Sequence, residues 1–193
     1  MNPIEQAFEH MTSVLEQHLA LSIAFKKDLR DAVQFVTYKK GTTLQHFRQI
    51  PDQLWFLHEG IVKESLLIKD RNLPWVTWFW YAKDFLFTEP GLFNKEASDA
   101  SIQLITDATL LHISYSDCIR LREQHKEVSQ LIKLMRGQSA RLKNDHHVMI
   151  SSQKVKISFD TFVKTHPQMI NLAKHKDILE FLGSTDDSFR RLT

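Results

Sequence analysis

The sequence predicts an α+β protein in which helices open the chain, an antiparallel β-barrel of jelly-roll type follows, and a long helix leads into a small all-helical module. Three observations carry this. Phe8, Met11, Val14, Leu15, Leu19 and Leu21 recur at mostly three-to-four spacing over Pro3 to Gln34, the period of an amphipathic helix. Short runs rich in Val, Thr, Phe, Trp and Ile then succeed one another: QFVTY, TTLQHF, QLWFL, IVKESLLI, PWVTWFWYA, SIQLIT and TLLHI. From Glu127 to about Ser151 the helical period returns without a break.

Each element has its own signal. The strand runs are separated by turn residues, with Gly41 after Lys39-Lys40, Gly60 after His58-Glu59 and Gly91 after Pro90. Many short strands at such spacing favour a closed or sandwiched antiparallel sheet over a parallel one with crossover helices. Trp75, Trp78, Phe79, Trp80 and Tyr81 put aromatics on both faces of one strand, so one face is expected to fill the barrel and the other to lie under a helix.

In the long helix Val128, Met135, Leu142 and Met149 fall seven apart, with Leu131 beside the first turn. That is one column of a coiled-coil seam, and these five residues are the expected contacts of a homodimer; the alternative is a single helix laid on the sheet of its own chain. Gly137, mid-helix, would permit close approach of a partner helix. The boundaries that follow are 1–126 for the barrel unit, 127–151 for the long helix and 152–193 for the terminal module, which is too small to fold alone and should lean on the long helix or a partner chain.

The terminal stretch KDILEFLGSTDDSFRRLT holds two helical starts joined at Gly183. Ile178, Phe181 and Leu182 share one face of the first, and Phe189 and Leu192 share one face of the second, so the stripes can close on each other. Gly183 can take the left-handed conformation that ends a helix, and Ser184 or Thr185 can cap the next. The geometry is helix-turn-helix. By itself this fits an αα-hairpin packed for stability as well as a DNA reader.

Composition bounds the chemistry. With 42% hydrophobic and 25% charged residues, the 193-residue chain is an ordinary globular one. The net charge of +2 matches the seven Lys/Arg against five Asp/Glu in residues 151–193, which places the cationic surplus in the terminal module. Cys118 is the sole cysteine, so no internal disulfide or cysteine-based metal site is possible. The acidic start MNPIEQAFEHM does not read as a signal peptide, no run reaches a membrane span, and a cytoplasmic setting is expected. No nucleophile turn or phosphate loop is present, so no catalytic residue, metal or cofactor is expected. Asp145-His146-His147 reads as a solvated polar face, because adjacent histidines on a helix point about 100° apart.

The order of elements, with YKKGTTL, LWFLHEGIVKES, FTEPGLFNKEASDASIQLITDATLLHIS and KDILEFLGSTDDSFRRLT, resembles the Crp-Fnr family of bacterial transcription regulators, in which a cyclic-nucleotide-binding-type domain controls a DNA-reading domain. The resemblance spans nearly the whole chain. It implies a homodimer on a palindromic double-stranded DNA site, read by Lys176, Thr185, Asp186, Asp187, Ser188, Arg190 and Arg191. It also implies an effector pocket built by Glu89, Gly91, Leu92, Ser98, Asp99 and Ala100. Glu89 matches the glutamate with which cyclic-nucleotide binders hold the ribose. Ser98 stands where their phosphate-binding arginine should be, which removes the bidentate cation, so a cyclic nucleotide is not the expected effector. Leu179 stands where the family prefers a small residue at the helix crossing, and the chain given ends without a following β-wing. The alternative is a dimeric ligand-binding or protein-interaction module that has lost DNA reading.

Overall fold

The computed structural model describes residues 2–68 and 73–190. Two helices open it, α1 (Pro3–Glu16) and α2 (Ile23–Ala32). Eight strands follow: β1 (Gln34–Tyr38), β2 (Thr43–Gln45), β3 (Gln53–Glu59), β4 (Val62–Ile68), β5 (Leu73–Trp80), β6 (Phe85–Leu86), β7 (Ala100–Leu104) and β8 (Ala108–Ser114). The chain continues through α3 (Tyr115–Gln124), α4 (Lys126–Ser152), α5 (Val155–Thr165), α6 (Met169–Leu172), α7 (His175–Phe181) and α8 (Asp186–Arg190). No helix among the described residues is long and apolar enough to cross a membrane.

The strands form two antiparallel four-stranded sheets, ordered β1-β8-β3-β6 and β2-β7-β4-β5. Between them Trp55, Leu57, Val62, Trp80, Leu86, Ile102, Leu104, Ala108 and Leu110 make one core. The alternate residues of the first sheet, Leu54, Phe56, Leu111 and Ile113, point outward into a second core with α1, α2, α3 and the start of α4. Because both faces of β3 are covered, Leu54 to His58 form an unbroken buried run.

Every strand run read from the sequence contains a strand. β6 went unread because two residues are too few to display alternation. The opening helical pattern is interrupted rather than continuous: Ser22 accepts from the Phe25 N–H at 3.1 Å and restarts the helix. The Glu127 carboxylate accepts from the Ser22 hydroxyl at 2.7 Å, tying that cap to α4.

The expected seam divides. Val128, Leu131 and Met135 are buried at 8%, 3% and 7% exposure in the core of their own chain, beside α1 and α3, so they are not available to a partner. Met149 packs against the terminal helices, and Leu142 alone of the column is open, at 47%. A heptad column marks a buried stripe without saying what buries it.

The terminal helices lean on the second sheet. Ile61, Val76, Phe79 and Ile105 on its outer face make a third core with Phe162, Met169, Ile178 and Leu182. The long helix gives part of the expected support, through Met149 and through His146 on Phe181, and the sheet adds the rest because Val76 and Phe79 face outward while Trp80 turns inward.

Candidate functional site

The segment between β6 and β7 is the cassette singled out in the sequence, and its shape comes from close packing. Gly91 lies against Thr88 so tightly that an added Cβ would sit 2.5 Å from both the Thr88 carbonyl and hydroxyl oxygens. Leu92 is fully buried and anchors the segment in the first-sheet core. The buried Gln45 amide donates to Thr88 Oγ1 at 3.1 Å and to the Ala100 carbonyl at 3.0 Å, joining the two ends of the segment.

Beside this segment opens a cleft of about 360 Å³. Glu64, Leu66, Trp75 and Thr77 of the second sheet form one wall, and Thr88, Glu89 and Ala100 another. Lys143, His146, His147 and Ile150 of α4 close it, with Glu180 and Phe181 from α7. The second sheet, the long helix and the terminal helices therefore meet around one space.

Its charges are engaged. Glu64 is buried, and both carboxylate oxygens accept from Lys143 Nζ, at 2.8 and 2.7 Å; Thr77 Oγ1 donates to one of them at 2.9 Å. A buried carboxylate so compensated is held mainly by its partner, since a lone buried charge is costly. Glu89 accepts from Arg136 Nε at 2.5 Å and from a second guanidinium nitrogen at 3.2 Å. Lys143 is the sole Lys or Arg among the described lining residues, and it faces Glu64. An incoming phosphate would compete with that buried carboxylate for its cation.

α7 is fixed by two buried acids. Lys63 donates to Asp177 at 2.7 Å, and Glu180 accepts at 2.9 Å from the Val76 N–H on edge strand β5. The His146 ring stacks on Phe181 at 4.0 Å and 16°, and its Nε2 lies 2.8 Å from the Phe181 carbonyl. That contact needs Nε2–H as donor. Burial pulls the His146 pKa below its ordinary value, which keeps the ring neutral. His146 is thus half-buried rather than part of a solvated face, while the exposed His147 lines the cleft.

Of the six effector-pocket residues read from the sequence, Glu89 and Ala100 line the cleft. Gly91 and Leu92 build the segment from behind. The Ser98 hydroxyl accepts from the Ala100 N–H at 3.2 Å, while its backbone N–H donates to the Gln49 carbonyl at 3.0 Å, so Ser98 is a structural residue of the segment and not a cleft donor. Asp99 contributes its carbonyl to the Leu67 N–H. Glu64, Lys143 and Glu180 went unread. The only trace of Glu64 was an ionisable residue inside the strand run IVKESLLI, and nothing local announces that Lys143 reaches it across 79 positions.

The terminal pair closes as its turn residues imply. Gly183 has φ +74°, the Ser184 N–H donates to the Leu179 carbonyl at 2.8 Å, and Thr185 caps α8 by accepting from the Ser188 N–H at 3.2 Å. Leu179 is fully buried, so the bulky residue at the crossing is accommodated. Lys176, Thr185, Asp187, Ser188 and Arg190 are exposed. Asp186 lies 3.0 Å from His175 Nδ1, and Phe189 packs on Phe159 at 4.9 Å. Arg191 and Leu192 lie outside the described residues.

Residues 35–125 match the family model of the cyclic nucleotide-binding domain. The fold is similar to FixK2 from Bradyrhizobium japonicum, with a TM-score of 0.65 at 17% identity, covering 82% of this chain and 81% of that one. The Thermus thermophilus catabolite activator protein gives 0.58 at 13% identity, over 93% of this chain and 84% of that one. The sensor domain of the transcriptional regulator DNR from Pseudomonas aeruginosa gives 0.57 at 18%, over 75% and 94%. No curated protein sequence matches the chain. Residues 35–125 thus resemble the cyclic nucleotide-binding domain in sequence and share its fold, a fold also found in a catabolite activator protein and in the sensor domain of a transcriptional regulator.

Proposed function

We propose that the chain is a DNA-binding transcription regulator of the Crp-Fnr type, whose cleft senses a small molecule and whose terminal helix pair reads DNA. The observation that carries this reading is the composition of the cleft wall: a ligand there would touch the sheet, α4 and, through Glu180 and Phe181, the helix that precedes the reading turn. Occupancy would then shift the population of arrangements of that helix. The effector is not a cyclic nucleotide, because Lys143 and Arg136 are held by Glu64 and Glu89. The role is binding, with no catalytic step.

Two subunits would pair through the exposed face of α4. Leu134, Gly137, Arg141 and Val148 recur there at steps of three, four and seven, and Leu134 and Val148 are 37% and 56% exposed. This face replaces the column starting at Val128. Two-fold pairing would set the reading helices on half-sites about 34 Å apart.

The test is binding to genomic DNA fragments over a range of salt. Sequence-selective binding whose affinity falls steeply with salt supports the regulator, and Arg190→Ala should weaken it. Val148→Lys should shift the molecule to monomer in sedimentation. The competing reading, an interaction module without DNA reading, draws on Asp186 and Asp187, which repel phosphate at the start of α8. Absence of DNA binding at every salt concentration would establish that reading instead.

A further inference from the structure

On the other side of Phe181 lies a second cavity, of about 450 Å³, which shares only that residue with the cleft. Its volume falls within the range of small-molecule sites, roughly 300 to 1,000 Å³. Trp78 and Tyr81 of the aromatic strand run line it, opposite Phe162 and His166 at the end of α5. The His166 ring stacks on Tyr81 at 4.9 Å and 20° and on Phe162 at 5.1 Å and 25°, so flat faces already pack on flat faces across this junction. Burial lowers the His166 pKa, which leaves the ring uncharged.

The rim has one distinctive group. Lys83 lines the cavity, is exposed, and has φ +79°, a left-handed conformation that a side-chain-bearing residue rarely adopts. Its ammonium has no ion-pair partner among the described residues. The neighbouring Asp84, which also lines the cavity, is directed elsewhere: its carboxylate accepts from the Tyr81 N–H at 2.8 Å.

We propose that this slot binds a flat aromatic acid, its rings laid against the aromatic lining and its carboxylate, or an equivalent anion, set against Lys83. Such a ligand would bridge the second sheet and α5, fastening the terminal helices to the barrel. The site stands apart from the effector cleft and does not depend on DNA reading.

Two fluorescent probes sharing one aromatic skeleton test it: the anionic anilinonaphthalene sulfonate and the uncharged phenylnaphthylamine, titrated into the full chain. One sulfonate should bind per chain, about tenfold more tightly than the neutral probe, the factor expected of one solvent-reached charge-assisted contact. Lys83→Gln should remove that preference and leave the neutral probe unchanged. Leu142→Trp, at a rim position that is 47% exposed and so tolerant of change, should weaken both. Equal affinities in the wild type, a preference that survives Lys83→Gln, or undiminished binding in Leu142→Trp would each overturn the proposal.

Discussion

The two halves of α4 are built on different principles. From Lys126 to Met135 the helix is anchored by apolar burial: Val128, Leu131 and Met135 join α1, α3 and the first sheet in one core. From Arg136 to Ser152 its attachments are largely polar and reach specific acceptors, with Arg136 on Glu89, Lys143 on Glu64 and His146 on the Phe181 carbonyl. Apolar contacts are non-directional and tolerate small displacement, whereas each polar contact is made or lost over a fraction of an ångström. The first half is therefore held by burial and the second half by directional polar contacts around the cleft.

That contrast can be broken at its strongest polar point. Lys143→Met leaves Glu64 buried with only Thr77 as donor, and should cost about 3 to 5 kcal/mol in urea unfolding. Adding Glu64→Leu should recover much of the loss, since removing both charges leaves none stranded. In the first half, Leu131→Ala should cost about 3 kcal/mol through lost burial and a residual cavity, and no second substitution at a charged residue should restore it. A smaller effect should appear with pH. Burial holds His58, His112, His146 and His166 below their ordinary pKa, so the unfolded chain takes up protons that the fold refuses. Stability should be fully present above the unfolded pKa of about 6.5 and decline as pH falls through that value toward the depressed ones. Replacing His146 by Gln should flatten that decline, as read by unfolding at a series of pH values. Smallest is Gly137→Ala: nothing lies within 4 Å of an added Cβ, so a gain of up to about 1 kcal/mol in helix propensity should raise the melting temperature slightly.

The comparison also separates what each kind of residue revealed in the sequence. The first half was legible as a periodic stripe, but its partner was misassigned: the same spacing that fits a second subunit fits α1 and α3 of the same chain. The exposed face of α4 was illegible because Leu134, Gly137, Arg141 and Val148 do not make an apolar column. At the cleft, Glu89 and Ala100 were found through the cassette pattern, whereas Glu64, Lys143 and Glu180 come from β4, α4 and α7 and have no shared local signature. Ser98 was read as a gap in a ligand site. The fold uses its hydroxyl to hold the Ala100 N–H.

The order of elements, the strand runs and the Gly183 turn were set by local chemistry: side-chain period, turn conformation and capping act within a few residues and leave their record there. Which apolar face meets which neighbour, and which buried acid meets which cation, was decided only when the chain folded back on itself. Burial is non-directional and a charge carries no address, so the pairing of Glu64 with Lys143 and the seat of α7 on β5 exist only as geometry.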